Sequence, residues 1–297
     1  MPSISRRKLL GAALVTGALS NRAAWAAKSP HRLRHTLSNE SYSLRDEIRA
    51  GRVNMLNVAE FHRKELGIRG VSLNDMFFKS WDEEYLKQIV ESFKANDRII
   101  TCLIMEGNLA TPNAEMRRKQ IESNTTKLKA AAILGAPVVR MNLGAVGPGE
   151  DNATVGVERS IAAFKEMLPV AQDLGIRITI ENHGGVSGSI EGIKAVINGT
   201  DPKWVGSLLD FGNPPVNHQP ELFSQLAPLA YHSHAKLASF KPDGEATNSD
   251  YGALLDILKH VKYAGAVSVE WEGQGEAIQG IKRTRDLILK HWPELPN

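Results

Sequence analysis

The chain is poor in features that would staple it, anchor it or attach it to a polyanion. Among its 297 residues there is one cysteine, Cys102, so no intramolecular disulfide can form and the fold must stand on packing alone. No glycine-rich turn follows the first strand-like segment, which argues against an open, doubly wound dinucleotide-binding sheet. Nothing suggests a low-complexity linker, a short-period repeat or a second domain.

Positive charge is also scarcer than the whole-chain balance of 36 Lys+Arg against 33 Asp+Glu implies. Residues 1–26 carry Arg6, Arg7, Lys8 and Arg22 and no acid, so without them 36 basic residues become 32 against the same 33 acids. No basic stripe is left to suggest a nucleic-acid partner. That same segment reads as an export leader of the twin-arginine type. Ser5-Arg6-Arg7-Lys8-Leu9-Leu10 opens an apolar and small-residue run from Gly11 to Leu19, and Ala24-Trp25-Ala26 supplies a small-x-small cleavage site. The run is shorter than the roughly 20 residues of a membrane span and is interrupted by Gly, Thr and Ser, so no stable span is expected. The expectation is a periplasmic or secreted protein, exported folded by the twin-arginine machinery, with one domain over residues 27–297. Folding before export would let a metal site form in the cytoplasm, ahead of competing ions.

From Leu66 onward, β-branched runs alternate with longer helical segments that tend to close on Gly or Asn. Strands are expected near 68–74, 98–106, 137–143, 176–182, 205–210, 231–236 and 266–271, with an eighth, first in order, near His35–Ser38. Helices are expected near 53–66, 82–96, 113–134, 156–174, 188–198, 219–229, 250–264 and 276–291. Eight of each imply a closed (β/α)8 TIM barrel, an α/β fold.

Strand parity sharpens this. In Ile176-Arg177-Ile178-Thr179-Ile180-Glu181-Asn182-His183 the isoleucines share one face, while Arg177, Thr179, Glu181 and His183 share the other. Val267, Val269 and Trp271 alternate with Ser268, Glu270 and Glu272, and Val139, Met141 and Leu143 with Arg140 and Asn142. A barrel strand turns its apolar side to the helical ring, so the polar side faces the interior and, at the C-terminal rim, builds the site. Along the strand at 231–236, His232 lies deepest, His234 near the rim and Lys236 at the mouth.

Glu181, Asp210, His234 and Glu270 thus end four successive strands. One nitrogen and three carboxylates converging there would suit one hard divalent ion, manganese, magnesium or cobalt, with zinc left open.

The segments Ile180-Glu181-Asn182-His183-Gly184, Leu209-Asp210-Phe211-Gly212-Asn213, His232-Ser233-His234-Ala235-Lys236 and Val269-Glu270-Trp271-Glu272-Gly273 come in the order and at the spacing of one family. Over most of the chain the sequence resembles the sugar phosphate isomerase/epimerase family of xylose isomerase-like barrels. The resemblance implies that Glu181, Asp210, His234 and Glu270 ligate one divalent ion and that Glu181 and Glu270 also act as acid/base residues on a carbohydrate. Proton removal next to a carbonyl, through an enediolate stabilised by the ion, would give isomerisation or epimerisation. It departs from the family at Leu237, where Asp often follows the lysine, and at Asn74, where a carboxylate is frequent; both bear on substrate identity.

Lys236 is expected to steady oxyanion charge or pair with a rim carboxylate, and His183 to bond substrate or a ligand carboxylate. Arg140 and Asn142 face inward to contact hydroxyls, with Arg140 also placed to neutralise carboxylates beneath the ion. Phe77, Phe78, Trp81, Phe211 and Phe240 are candidates for an apolar sugar-facing wall. Glu272 and Glu276 would repel a phosphate after the last strand, which favours an unphosphorylated sugar. A lyase or dehydratase acting on a keto-glycoside or inosose uses the same groups, and a non-catalytic metal-containing carbohydrate-binding barrel is the alternative outside enzymes. Self-association is left open.

Overall fold

The computed structural model describes residues 29–214 and 216–297, so the leader expected at residues 1–26 lies outside it. Eight parallel strands follow one another around a closed barrel: β1 (Leu37–Glu40), β2 (Gly70–Asn74), β3 (Ile99–Met105), β4 (Val138–Met141), β5 (Arg177–Glu181), β6 (Val205–Asp210), β7 (Ala230–Leu237) and β8 (Ala266–Trp271). Closure comes from β1 pairing with β8, with Asn39 level with Val269. The expected TIM-barrel architecture is therefore present.

Helices pack around the strands: α1 (Arg45–Arg49), α2 (Val58–Phe61), α3 (Glu83–Ala95), α4 (Ala114–Leu134), α5 (Val157–Leu174), α6 (Ile190–Asn198), α7 (Gln219–Leu226), α8 (Tyr251–His260) and α9 (Ala277–His291). Their starts are written in the sequence. Asn113 accepts from the Met116 N–H, Ser189 from Gly192 and Asp250 from Ala253, each taking up a donor that the first helical turn leaves unpaired. No helix among the described residues is long and apolar enough to cross a membrane.

The core has two parts, and strand parity assigns residues to them. Ile178, Ile180, Val139, Met141, Leu209, Val267 and Val269 point outward into a large apolar layer shared with the helices. Each such fully buried side chain contributes about 1.5–3 kcal/mol over leaving it in water. A smaller cluster of Cys102, Ile104, Val138 and Leu208, with Leu33 and Tyr231 against it, is separate from that layer. Val138 and Leu208 share parity with Arg140 and Asp210, so this cluster fills the barrel's lower interior.

Three expectations are corrected. The first strand is Leu37–Glu40 rather than His35–Ser38. Its residues have little strand propensity, and pairing on both sides imposes the conformation. The single helix expected over 53–66 is broken: the Asn54 side chain accepts from the Leu56 N–H and the Asn57 side chain from the Asn54 N–H, holding a turn where a helix would begin. Regular α-helix starts at Val58 and passes into a π-helical turn, His62–Leu66. Finally, α7 ends at Leu226 and α8 at His260, a few residues earlier than expected.

Candidate active site

The inward faces of the strands stack in layers. Low in the barrel Ser38 Oγ meets Thr101 Oγ1 at 2.8 Å, and Ser72 Oγ lies 3.1 Å from the same Thr101 oxygen, 3.0 Å from His232 Nε2 and 3.2 Å from Ser268 Oγ. This floor is polar, buried and hydrogen-bonded.

One layer up, the C-terminal ends of β5, β6, β7 and β8 bring Glu181, Asp210, His234 and Glu270 together. All four are buried, and one donor atom from each lies within 4.8 Å of the others. Register explains the convergence: Asp210 is level with His234 across β6 and β7. The Asn of the I-E-N-H-G segment locks β5 to β6 above it, since Asn182 donates to the Asp210 carbonyl at 3.1 Å and accepts from the Asp210 N–H at 2.8 Å. After β5 the chain turns through Gly185 at φ 56°, where an added Cβ would lie 2.2 Å from the Gly144 carbonyl oxygen. Only glycine lets the two loops approach so closely.

His234 Nδ1 sits between two carboxylates, 3.3 Å from Glu181 Oε1 and 3.1 Å from Glu270 Oε2. Burial disfavours its charge, but Glu270 and Glu181 outweigh that and push its pKa up to about 10. For Glu181, burial is opposed by the Arg140 charge and the His234 hydrogen bond, which together hold the carboxyl well below the usual range. Glu270 is likewise lowered, because His234 and Lys236 overcome its burial. Asp210 goes the other way: burial dominates, Lys236 Nζ is 3.8 Å off, and the carboxyl is raised well above its ordinary value.

Arg140 lies buried under this group. Its Nη2 donates to Glu106 Oε1 at 2.8 Å and its Nε is 3.1 Å from Glu181 Oε2, so of the two roles expected for it the geometry shows pairing with carboxylates. Asn142 donates to Glu106 Oε2 at 2.7 Å, which ties it to the same carboxylate. Lys236 reaches the mouth as expected, 3.4 Å from both Glu270 Oε1 and Glu272 Oε1, and donates to Asn213 Oδ1 at 3.1 Å. His183 is exposed on the loop after β5 and lines two adjoining cavities.

The smaller cavity, about 220 Å³, lies directly over the cluster, with Glu181, Glu270, Arg140 and Lys236 in its wall. The larger, about 440 Å³, extends from His183 between the loops after β5 and β6, past Ser187, Glu191 and His218. Together they fall within the roughly 300–1,000 Å³ of small-molecule sites.

The aromatic wall is a correction. Phe211 is fully buried between Phe223 and Tyr251, with ring centroids at 5.0 and 5.1 Å. Phe78 stacks on Trp81 and Phe240 on Trp271. None of the five expected aromatics lines the smaller cavity; Tyr42 and Met76 do. Sequence reading also passed over Glu40, a carboxyl at the end of β1 in that same wall. Burial, and then the Glu270 charge, raise it to about 8.

A family profile for xylose isomerase-like TIM barrels matches residues 63–291. The chain belongs to that family. No curated protein matches it in sequence. Among solved structures it is similar to a D-tagatose 3-epimerase-like protein, with TM-score 0.68 and 16% identity over 88% of this chain and 98% of that one. It is also similar to the 3-keto-D-glucoside 4-epimerase of E. coli (TM-score 0.67, 16% identity, 80% and 94% covered) and to an L-ribulose 3-epimerase (TM-score 0.70, 14% identity, 87% and 94% covered). At such identities the likeness shows a shared fold.

The donor set of this family member fits a hard divalent cation. Asp210 Oδ2 and His234 Nε2 are buried without hydrogen bonds, and Glu181 Oε2 and Glu270 Oε2 have only the ion-pair contacts to Arg140 and His234, a costly arrangement unless something else satisfies such atoms. Around them Glu40, Glu106, Glu181, Asp210, Glu270 and Glu272 face two permanent cations, Arg140 and Lys236. In the metal-free protein protons on His234 and Asp210 ease that crowding of carboxyls, and a bound cation would take their place.

Proposed function

We propose that the protein is a divalent-metal-dependent isomerase or epimerase of a sugar or keto-sugar, acting by proton transfer next to a carbonyl. The observation that carries this reading is the pair Glu181 and Glu270, both held ionised beside one cavity. A carboxylate that resists protonation is a weak base, so the carbon acid it attacks must itself be made more acidic. A divalent ion held by Glu181, Asp210, His234 and Glu270 would supply that, polarising the carbonyl and its neighbouring hydroxyl and lowering the cost of an enediolate.

The protein's own groups do the rest. One of the two glutamates accepts the proton, and the other returns one, to the opposite face in epimerisation or to the neighbouring carbon in isomerisation. Lys236 adds a fixed positive charge at the mouth against oxyanion character. Arg140 keeps Glu181 ionised and aligned, while Asn142 and Glu106 hold Arg140 in place. His183, exposed at the junction of the cavities, meets the part of the substrate that lies outside the reaction centre.

The larger cavity gives one specific reason to keep elimination in view. Room beside the reaction centre would admit a substituent, so a keto-glycoside could be bound with its leaving group past His183. The proposed protein is the product of twin-arginine export, a single catalytic domain over residues 27–297 that acts outside the cytoplasm.

The test is incorporation of solvent deuterium into a panel of ketoses and keto-glycosides by manganese-loaded protein, with Glu181→Gln and Glu270→Gln alongside. Exchange without net loss of a group supports isomerase chemistry, and a released aglycone supports elimination. No exchange in any sugar despite bound metal would remove the proton-transfer reading.

A further inference from the structure

Glu40 has no part in the chemistry above, yet it sits where substrate must go. Ser38 points inward to the hydroxyl floor, and two residues further along the same strand Glu40 returns to the same face one layer higher. With Asn39 level with Val269, it stands beside Glu270 on the neighbouring strand. In an eight-stranded ring β1 is four strands from β5, so Glu40 faces Glu181 across the mouth.

Its two oxygens have different fates. Oε2 accepts from the Tyr42 N–H at 2.6 Å and caps the turn Ser41–Leu44. Oε1 is buried, has no hydrogen-bond partner, and belongs to a residue 1% exposed in the wall of the smaller cavity. Capping the turn needs one oxygen, and an asparagine or serine caps as well. A carboxyl kept for structure alone would not leave its second oxygen buried without a protein partner in a cavity wall. Neither Arg140 nor Lys236 is paired with it; their contacts go to Glu106, Glu181, Glu270, Glu272 and Asp210.

We infer that Glu40 is a specificity-determining residue that takes, through Oε1, a free hydroxyl of the substrate outside the reacting carbonyl–hydroxyl pair. This rests on the proposed carbohydrate substrate and narrows it to sugars unsubstituted at that hydroxyl. Glutamine cannot replace the carboxyl fully, because a single amide oxygen cannot accept from Tyr42 and from substrate together. A site that bonds a hydroxyl also rejects the analogue that lacks it.

The experiment compares wild type, Glu40→Gln and Glu40→Ala, each manganese-loaded, on ketohexoses and their monodeoxy analogues, reading solvent-deuterium exchange, metal content and melting temperature. Removing one particular hydroxyl should lower wild-type kcat/KM about tenfold or more, chiefly through KM, while Glu40→Ala treats that deoxy sugar and its parent alike. Both variants should keep the metal; Glu40→Gln should melt close to wild type, and Glu40→Ala lower only by the loss of the cap. Should Glu40→Ala fail to fold, Glu40→Ser, whose hydroxyl can cap the turn and is too short to reach the substrate, carries the same comparison.

Retained discrimination in Glu40→Ala, or a fall of several degrees in melting temperature with kcat/KM unchanged, would make Glu40 structural and leave the proposed activity standing. If wild type exchanges no sugar, the proposed activity falls, and calorimetric binding of the same ketohexoses decides Glu40. Weaker binding by Glu40→Ala supports the assignment; equal or absent binding overturns it.

Discussion

The floor and the rim of the barrel interior are both polar and both buried, and they treat their polar atoms in opposite ways. On the floor, Ser38, Ser72, Thr101, Ser268 and His232 are neutral and bonded to one another. On the rim, Glu40, Glu181, Asp210, His234 and Glu270 carry charge or protons that burial penalises, and each keeps a side-chain atom without a hydrogen bond. Two histidines on β7 make the contrast within a single strand. His232 and His234 have ring centroids 5.5 Å apart, yet burial pushes the first well below its ordinary pKa while two carboxylates push the second up to about 10. Inside the barrel, the satisfied atoms belong to the fold, and the atoms without hydrogen bonds gather at the rim, where another molecule belongs.

If that division holds, rim substitutions should cost function more than stability. Glu270→Gln should reduce exchange by about 10²–10⁴-fold while the melting temperature falls only modestly, since His234 keeps Glu181 and Lys236 keeps Glu272 as partners. A comparable loss of stability would blur the division.

Arg140 is the rim residue on which stability does depend. Arg140→Met strands the buried Glu181 without its cation and should destabilise by about 3–5 kcal/mol in urea denaturation. Adding Glu181→Gln should recover part of the loss; no recovery would mean that Arg140 acts through packing.

The histidines predict opposite pH limbs. His62, held neutral by burial with Nδ1 against the Val58 carbonyl, has its pKa lowered to about 4. The unfolded chain takes up that proton first, so stability present above the unfolded pKa of about 6.5 drains away as pH falls toward 4, by about 3 kcal/mol. His232 adds to the same limb. His234 has a raised pKa, so its contribution in metal-free protein is complete below about pH 6.5 and is lost as pH rises through about 10. Urea midpoints from pH 4 to 10 should trace a dome, with His234→Leu flattening the alkaline side and His62→Gln the acid side.

The smallest effect belongs to the floor. Ser72→Ala leaves His232 Nε2 without its partner and should cost about 1–3 kcal/mol with metal content unchanged. Loss of metal in that variant would show the two layers to be coupled.

Much of the rim was legible because β5 and β8 alternate cleanly, so parity alone told Glu181 and Glu270 from their outward neighbours. The order of segments then put Asp210 and His234 beside them. Glu40 was not legible. Leu37-Ser38-Asn39-Glu40 has no β-branched residue, and a strand read two residues early ends before the carboxyl. Arg140 was placed on the correct face, but its partner Glu106 ends another strand, and nothing local reveals a pairing that only barrel closure creates. The aromatic residues failed as a wall because proximity to a strand end does not say whether a ring turns to the mouth or to a helix, as Phe211 shows.

The rim, and not the floor, should hold one divalent ion. Calorimetric titration of metal-free protein with manganese tests it directly, run in buffers of different ionisation enthalpy and repeated with Asp210→Asn, His234→Ala and His232→Leu. One ion should bind per chain, more tightly at higher pH and with proton release, because His234 and Asp210 hold protons that the ion must displace. Binding should vanish in Asp210→Asn and His234→Ala and persist in His232→Leu. No binding by wild type, or full binding by His234→Ala, would contradict it.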